Sequence, residues 1–143
     1  MLACRRVPGK LPAARILQSI FMIILVVEDD PIVLIVFESM LKSKGHEVIA
    51  APDTATANRL LGELGKVPDV LLVDVVLIGE SGIDYASVMR VRYPSMPIVF
   101  TTGYPHREGP ALHAGMGEVL RKPFRPQELF DTIERASRNR QAP

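Results

Sequence analysis

The chain has 143 residues, 48% of them hydrophobic, with a formal net charge of +1 and a single cysteine, Cys4. That length suits one domain with a substantial core and is short for two ordinary domains. A lone cysteine excludes a disulfide framework and fits a reducing compartment, with the cytoplasm as the default.

The chain opens on a basic leader: residues 1 to 27 carry Arg5, Arg6, Lys10 and Arg15 and no acid. Of the 17 basic residues this leaves 13 against 16 acids, a balance of −3 for the remainder. Phosphate contacts need a basic surface, so an acidic body argues against nucleic acid as the main partner and favours another protein. The apolar run ILQSIFMIILVV after the leader lacks a small-residue cleavage site and is too short to span a bilayer. Met22 fits a true start, with residues 1–21 an appended, mobile extension, 22–138 the domain and 139–143 a short tail.

Apolar runs rich in β-branched residues recur at 23–27, 47–50, 69–73, 97–101 and 118–121, five candidate strands separated by stretches of helical spacing. A repeated β-α pattern implies a parallel sheet with helices on both faces and right-handed crossovers, an α/β doubly wound fold. In the first helix Asp30 is the N-cap, Pro31 the first residue, and Gly45 lies just past the end. Its inward stripe is Val33, Val36, Phe37, Met40 and Leu41. Ile32, Leu34 and Ile35 fall partly outside that stripe, so the helix should expose apolar surface of the kind that docks a partner.

The second helix runs from Asp53 or Thr54 to about Leu64, and the third from Gly82 to Tyr93 before Pro94. Between 102 and 118 the glycines and prolines leave room for one short helix near Ala111 to Ala114, in a segment expected to be mobile. The last helix starts at Pro126 and buries Leu129, Phe130, Ile133 and Ala136. The few residues beyond it leave no room for an appended domain, so a stand-alone mode of action is expected.

In a parallel α/β sheet the carboxyl ends of the strands gather at one edge, where sites form. Glu28 and Asp29 end the first strand, Asp74 the third, Thr102 the fourth and Lys122 the fifth. Carboxylates held within a few ångströms repel, so a cation or a shared proton must offset them, and a divalent metal is the leading reason. Lys122 before Pro123 supplies an ammonium facing the acids. Asp30 needs no metal role, because an N-cap explains it. His46, His106 and His113 lack metal-ligand spacing and are expected on the surface or in loops. No Gly-rich turn follows the first strand, which removes dinucleotide and P-loop binding.

The pieces ILVVEDDP, VLLVDVVL with Gly82 eight residues past Asp74, FTTGY and RKPF, in this order and spacing, resemble the receiver domain of two-component response regulators over residues 22 to about 138. The resemblance implies a flavodoxin-like three-layer sandwich of strand order 2-1-3-4-5 and a phosphoacceptor at Asp74, served by a histidine kinase or histidine phosphotransfer protein. It also implies Mg2+ on Asp29, Asp74 and the backbone carbonyl of Val76, with Glu28 acting through water, while Lys122 and Thr102 meet phosphoryl oxygens. The Lys122 to Pro123 bond is expected to be cis.

Three departures from the family pattern stand out. Val119 occupies the place of an aromatic switch residue, Ile78 that of a usual proline, and the segment after Thr102 is rich in Gly and Pro. Signalling by loop ordering or by the first helix is therefore expected. Bulky Val76 and Tyr104 are expected to restrict attacking water and slow self-dephosphorylation. The partners implied are the phosphodonor, docking at Ile32, Leu34 and Ile35, and a downstream protein, with no nucleic acid and no membrane. Beyond self-phosphorylation and self-dephosphorylation no enzymatic activity is expected. The alternatives are a phosphorylation-independent binding module and a Mg2+-dependent aspartyl-phosphate phosphohydrolase; against the second, Val76 stands where those hydrolases carry a second acid.

Overall fold

The computed structural model describes residues 21–103 and 115–140. The leader, the short helix near Ala111, Tyr104, His106 and His113 lie outside the described residues. In chain order the elements are β1 (Ile23–Val27), α1 (Pro31–Ser43), β2 (Glu47–Ala51), α2 (Thr54–Leu64), β3 (Val70–Asp74), β4 (Val76–Leu77), β5 (Glu80–Ser81), α3 (Gly82–Arg92), β6 (Ile98–Thr102), β7 (Glu118–Arg121) and α4 (Pro126–Arg138).

Five strands form one parallel sheet in the order β2-β1-β3-β6-β7, which is the expected 2-1-3-4-5 once the separate β4–β5 hairpin is set aside. Alternation along the strands splits the core into two layers. Leu25, Val27, Leu71, Val73, Ile98 and Phe100 face α2 and α3, where they meet Ala57, Leu61, Ala86 and Met89. Ile24, Val26, Val70, Leu72 and Val99 face α1 and α4, against Phe37, Leu41, Leu129 and Ile133. β3 and β6 are buried along their whole length and β1 along all but its first residue, so they carry unbroken apolar sequence up to the polar residues at their carboxyl ends. Each such side chain contributes about 1.5–3 kcal/mol on burial.

Two strands begin one residue later than expected. The Asp69 side chain accepts from the Ile23 N–H at 2.7 Å, which brackets the start of the sheet, and Pro97 offers only its carbonyl, to Leu71 N–H at 3.0 Å. α1 is set as its sequence implies: Asp30 Oδ1 accepts from Ile32 N–H at 2.9 Å and Val33 N–H at 3.3 Å. Its buried face differs from the expected stripe. Val36 is exposed, while Leu34, expected outside, packs partly buried against the core. The reason is the Phe37 ring, which stacks on Phe124 with centroids 5.1 Å apart and so fixes the rotation of the helix.

His46 lies in the loop between α1 and β2, one of the two places expected for it. It is half-buried, and its Nδ1 accepts from Met22 N–H at 3.2 Å. The Arg90 guanidinium donates to the carbonyls of Pro94 and Met116, at 3.1 and 2.9 Å, and ties the end of α3 to the segment entering β7.

Candidate functional site

The carboxyl edge of the sheet collects the polar residues that end its strands. Glu28 continues the β1 ladder, its N–H donating to Ala51 O at 3.1 Å, and its side chain turns inward until only 1% remains exposed. Asp74 closes β3 opposite Thr101 of β6, and Thr102 lies one step further along β6, opposite Arg121. Lys122 comes directly after β7; its N–H donates to Thr102 O at 2.8 Å, and the Lys122–Pro123 peptide bond is cis.

Two oxygens converge on the Lys122 ammonium, Glu28 Oε1 and Asp74 Oδ2, each 2.6 Å from Nζ. Backbone donors engage the other oxygens: Asp30 N–H meets Glu28 Oε2 at 3.1 Å, and Val76 N–H meets Asp74 Oδ1 at 2.9 Å. Ile78 N–H meets Asp29 Oδ2 at 2.8 Å. One carboxylate oxygen from each of Glu28, Asp29 and Asp74 lies within 4.8 Å of the others. Thr102, also buried, sits at the end of the neighbouring strand with its own polar partners.

Burial raises the Glu28 carboxyl; the Lys122 ammonium and the Asp30 N–H oppose this, Asp74 adds repulsion, and the net position is about 7. For Lys122, burial alone would disfavour the ammonium, but the hydrogen bonds of Asp74 and Glu28 outweigh it and raise its pKa. Three carboxylates against one ammonium leave two negative charges uncompensated when all are ionised. Hard oxygen donors with a residual charge of minus two fit a small divalent cation such as Mg2+.

Gly82 has a steric role at this edge. A Cβ built on it would lie 1.8 Å from the Asp74 carbonyl oxygen, so no other residue lets α3 start so close to β3.

A model of the response regulator receiver domain matches residues 24–134. The chain belongs to this family. The receiver domain is 29% identical over 114 residues to the phyllosphere-induced regulator PhyR of Methylorubrum extorquens, covering 79% of this chain and 42% of that protein. It is 34% identical over 119 residues to nodulation protein W of Bradyrhizobium diazoefficiens, covering 80% and 51%. It thus spans about half or less of the length of these curated relatives.

Among solved structures, a response regulator receiver protein from Sinorhizobium medicae is 29% identical with a TM-score of 0.74, over 85% of this chain and 98% of that one. The receiver domain of PhyR from Erythrobacter litoralis is 26% identical with a TM-score of 0.75, over 86% and 95%. Among the described residues no helix is long and apolar enough to cross a membrane.

The sequence marked all five polar strand-end residues, and the structure brings Glu28, Asp29, Asp74 and Lys122 into one cluster with Thr102 on the adjoining strand. It did not mark the backbone N–H groups of Asp30, Val76 and Ile78 that hold the carboxylates. Nor did it mark the β4–β5 hairpin that carries the last two. The only local signal was Gly79, whose φ of +71° supplies the second position of a two-residue turn.

Proposed function

We propose that this receiver domain accepts a phosphoryl group on Asp74 from a histidine kinase or histidine phosphotransfer protein and then signals through protein contacts or passes the group on. The observation that carries the reading is the Lys122 ammonium held 2.6 Å from both Glu28 and Asp74, on the strand edge where Asp29 completes the acidic cluster. In the transfer a carboxylate oxygen of Asp74 bonds to phosphorus as the P–N bond to the donor imidazole breaks, giving an acyl phosphate and a neutral histidine once the leaving nitrogen is protonated.

Lys122 serves as a compact point charge, first to the Asp74 carboxylate and then to a phosphoryl oxygen. The Thr102 hydroxyl donates to another. Asp29, Asp74 and the backbone carbonyl of Val76 would hold Mg2+, with Glu28 acting through water. The ion supplies electrostatic neutralisation of the transferring oxygens.

The exposed side chains of Ile32 and Ile35, which are 72% and 62% accessible, support α1 as the docking face for the phosphodonor's helices. Leu34, half-buried, contributes less than its neighbours. Half-exposed Val76, beside Asp74, supports restricted access for water and a long-lived acyl phosphate.

The test is exposure to acetyl phosphate, or to beryllofluoride as a mimic, with Mg2+. A phosphoryl mass gain in the native protein and none in Asp74→Asn is expected. Equal behaviour of the two would remove Asp74 from the chemistry, and sustained turnover of a model phosphoester would favour a hydrolase instead.

A further inference from the structure

At the amino edge of the sheet, opposite the acidic cluster, a cavity of about 180 Å³ lies between the ends of α3 and α4 and the starts of β6 and β7. Pro97, Ile98, Met116 and Ala136 give it apolar walls, and Arg90, Glu118 and Asn139 supply polar groups. Gly115 and Gly117 also line it and offer no side chain to fill it. Gly117 is held to that identity, because a Cβ there would lie 2.1 Å from the Ile98 carbonyl oxygen.

Arg90 brings to this cavity a charge that no acid among the described residues neutralises. Its Nη1 donates to the carbonyls of Pro94, at 3.1 Å, and Met96, and its Nη2 to that of Met116, at 2.9 Å. Carbonyl oxygens satisfy hydrogens but carry no formal charge, so the full cationic charge persists in a half-buried place. Burial lowers the Arg90 pKa, with no acid opposing the shift. The acid in the cavity wall, Glu118, is engaged by Arg135, whose Nε donates to it at 2.9 Å. Arg90, Arg135 and Glu118 together therefore leave a net positive charge.

The guanidinium also has donors to spare. Its Nε–H and one Nη2 hydrogen remain after the three carbonyls are served, and adjacent donors of this kind suit the two oxygens of a carboxylate. The volume sets the size of the guest. It equals roughly six waters at about 30 Å³ each, against about 300–1,000 Å³ for a site that encloses a drug-sized ligand.

We propose that this cavity binds a small monocarboxylic acid, with its carboxylate on Arg90 and its short apolar chain against Ile98, Met116 and Ala136. Inorganic phosphate lacks the apolar body, and a nucleotide is too large. The site is separate from the chemistry of the acidic cluster: Ile98 and Glu118 open the strands whose far ends, Thr102 and Arg121, reach the opposite edge. A ligand held there ties the starts of β6 and β7 to the end of α3 and stabilises the folded domain by mass action.

The experiment is an amide NMR titration of the full chain with sodium butyrate, with butylammonium chloride as the matched cation and sodium phosphate as the bare anion, at constant ionic strength. Butyrate is expected to shift the Ile98, Met116 and Gly117 amides saturably, with a dissociation constant of about 1 mM, in the range its small size allows. Butylammonium and phosphate are expected to bind about tenfold more weakly or less. Arg90→Gln removes the charge, and Ala136→Met adds a flexible side chain to the wall. Each is expected to weaken butyrate binding by about tenfold or more.

No saturable shift with butyrate, or an equal response to butylammonium or to phosphate, overturns the site. Native affinity for butyrate in Arg90→Gln or in Ala136→Met does the same. Should one variant fail to fold, the other decides together with the probe comparison, which needs neither.

Discussion

Glu28 is the residue at which burial and charge conflict most. Its carboxyl moves from an ordinary 4.5 up to about 7 because burial disfavours the ionised form more than Lys122 and the Asp30 N–H favour it. The folded state therefore holds a proton that the unfolded state has released between those values. This contribution to stability is full below pH 4.5 and is lost as pH rises through about 7. Its size is roughly 3 kcal/mol at about 1.4 kcal/mol per pKa unit.

His46 acts in the opposite sense. Burial lowers its pKa from 6.5, so the folded state prefers neutral imidazole, and its contribution is present above pH 6.5 and lost as pH falls through the lower folded value. The two trends partly cancel in the native protein, so variants separate them. In metal-free urea melts across this range, Glu28→Gln is expected to leave stability rising with pH. His46→Gln is expected to leave it falling. Unchanged profiles in both would contradict these assignments.

At the scale of elements, α1 shows how far a sequence pattern reaches. Its boundaries were legible because capping chemistry is local: Asp30 bonds the first turn, Pro31 suits its first position, and Gly45 sits past its end with φ of +89°. Its buried face was legible only in part. Residues Pro31 to Phe37 are apolar throughout, so the stripe that should separate inside from outside is blurred, and stacking of Phe37 on Phe124 decides the rotation. Replacing Asp30 with Ala is expected to destabilise the domain by about 1 kcal/mol in chemical denaturation.

A larger effect is expected where α3 begins. Gly82→Ala places a methyl group 1.8 Å from the Asp74 carbonyl, so β3 and α3 must part, at about 3 kcal/mol. Because that shift moves the strand that carries Asp74, Mg2+ affinity should fall with stability in Gly82→Ala and stay near native in Asp30→Ala. Equal Mg2+ affinity in the two variants would argue against the tight β3–α3 approach. On the proposed docking face, Ile32→Glu or Ile35→Glu is expected to slow transfer from a histidine phosphodonor while acetyl phosphate still labels Asp74. Matching losses in both assays would place these side chains in folding rather than in docking.

Across the whole molecule, the sheet was legible because five β-branched runs alternate with helical spacing, and strand order then sends every carboxyl end to one edge. Side chains at that edge carry a sequence signature, whereas the backbone donors from Asp30, Val76 and Ile78 carry none. The β4–β5 hairpin escaped for a related reason, since two-residue strands are too short to show alternation.

That division sets the response of the intact domain to metal. Without a cation the cluster crowds three carboxylates around one ammonium, and raising the pH ionises Glu28 at the expense of stability. A bound divalent ion inverts the sign, because it favours the ionised carboxylates and binding releases the Glu28 proton. Thermal unfolding at saturating Mg2+, about 100 times the dissociation constant, is expected to show a gain of about 2.7 kcal/mol. The gain should grow from about pH 5 to about pH 8 as competition from the proton fades. Asp29→Ala removes one ligand and Asp74→Asn removes one charge, so both should lose most of the gain while remaining folded without metal. A native protein whose melting temperature ignores Mg2+ at the upper end of that range would mean that Lys122 alone balances the cluster, and that the carboxylates hold no divalent ion.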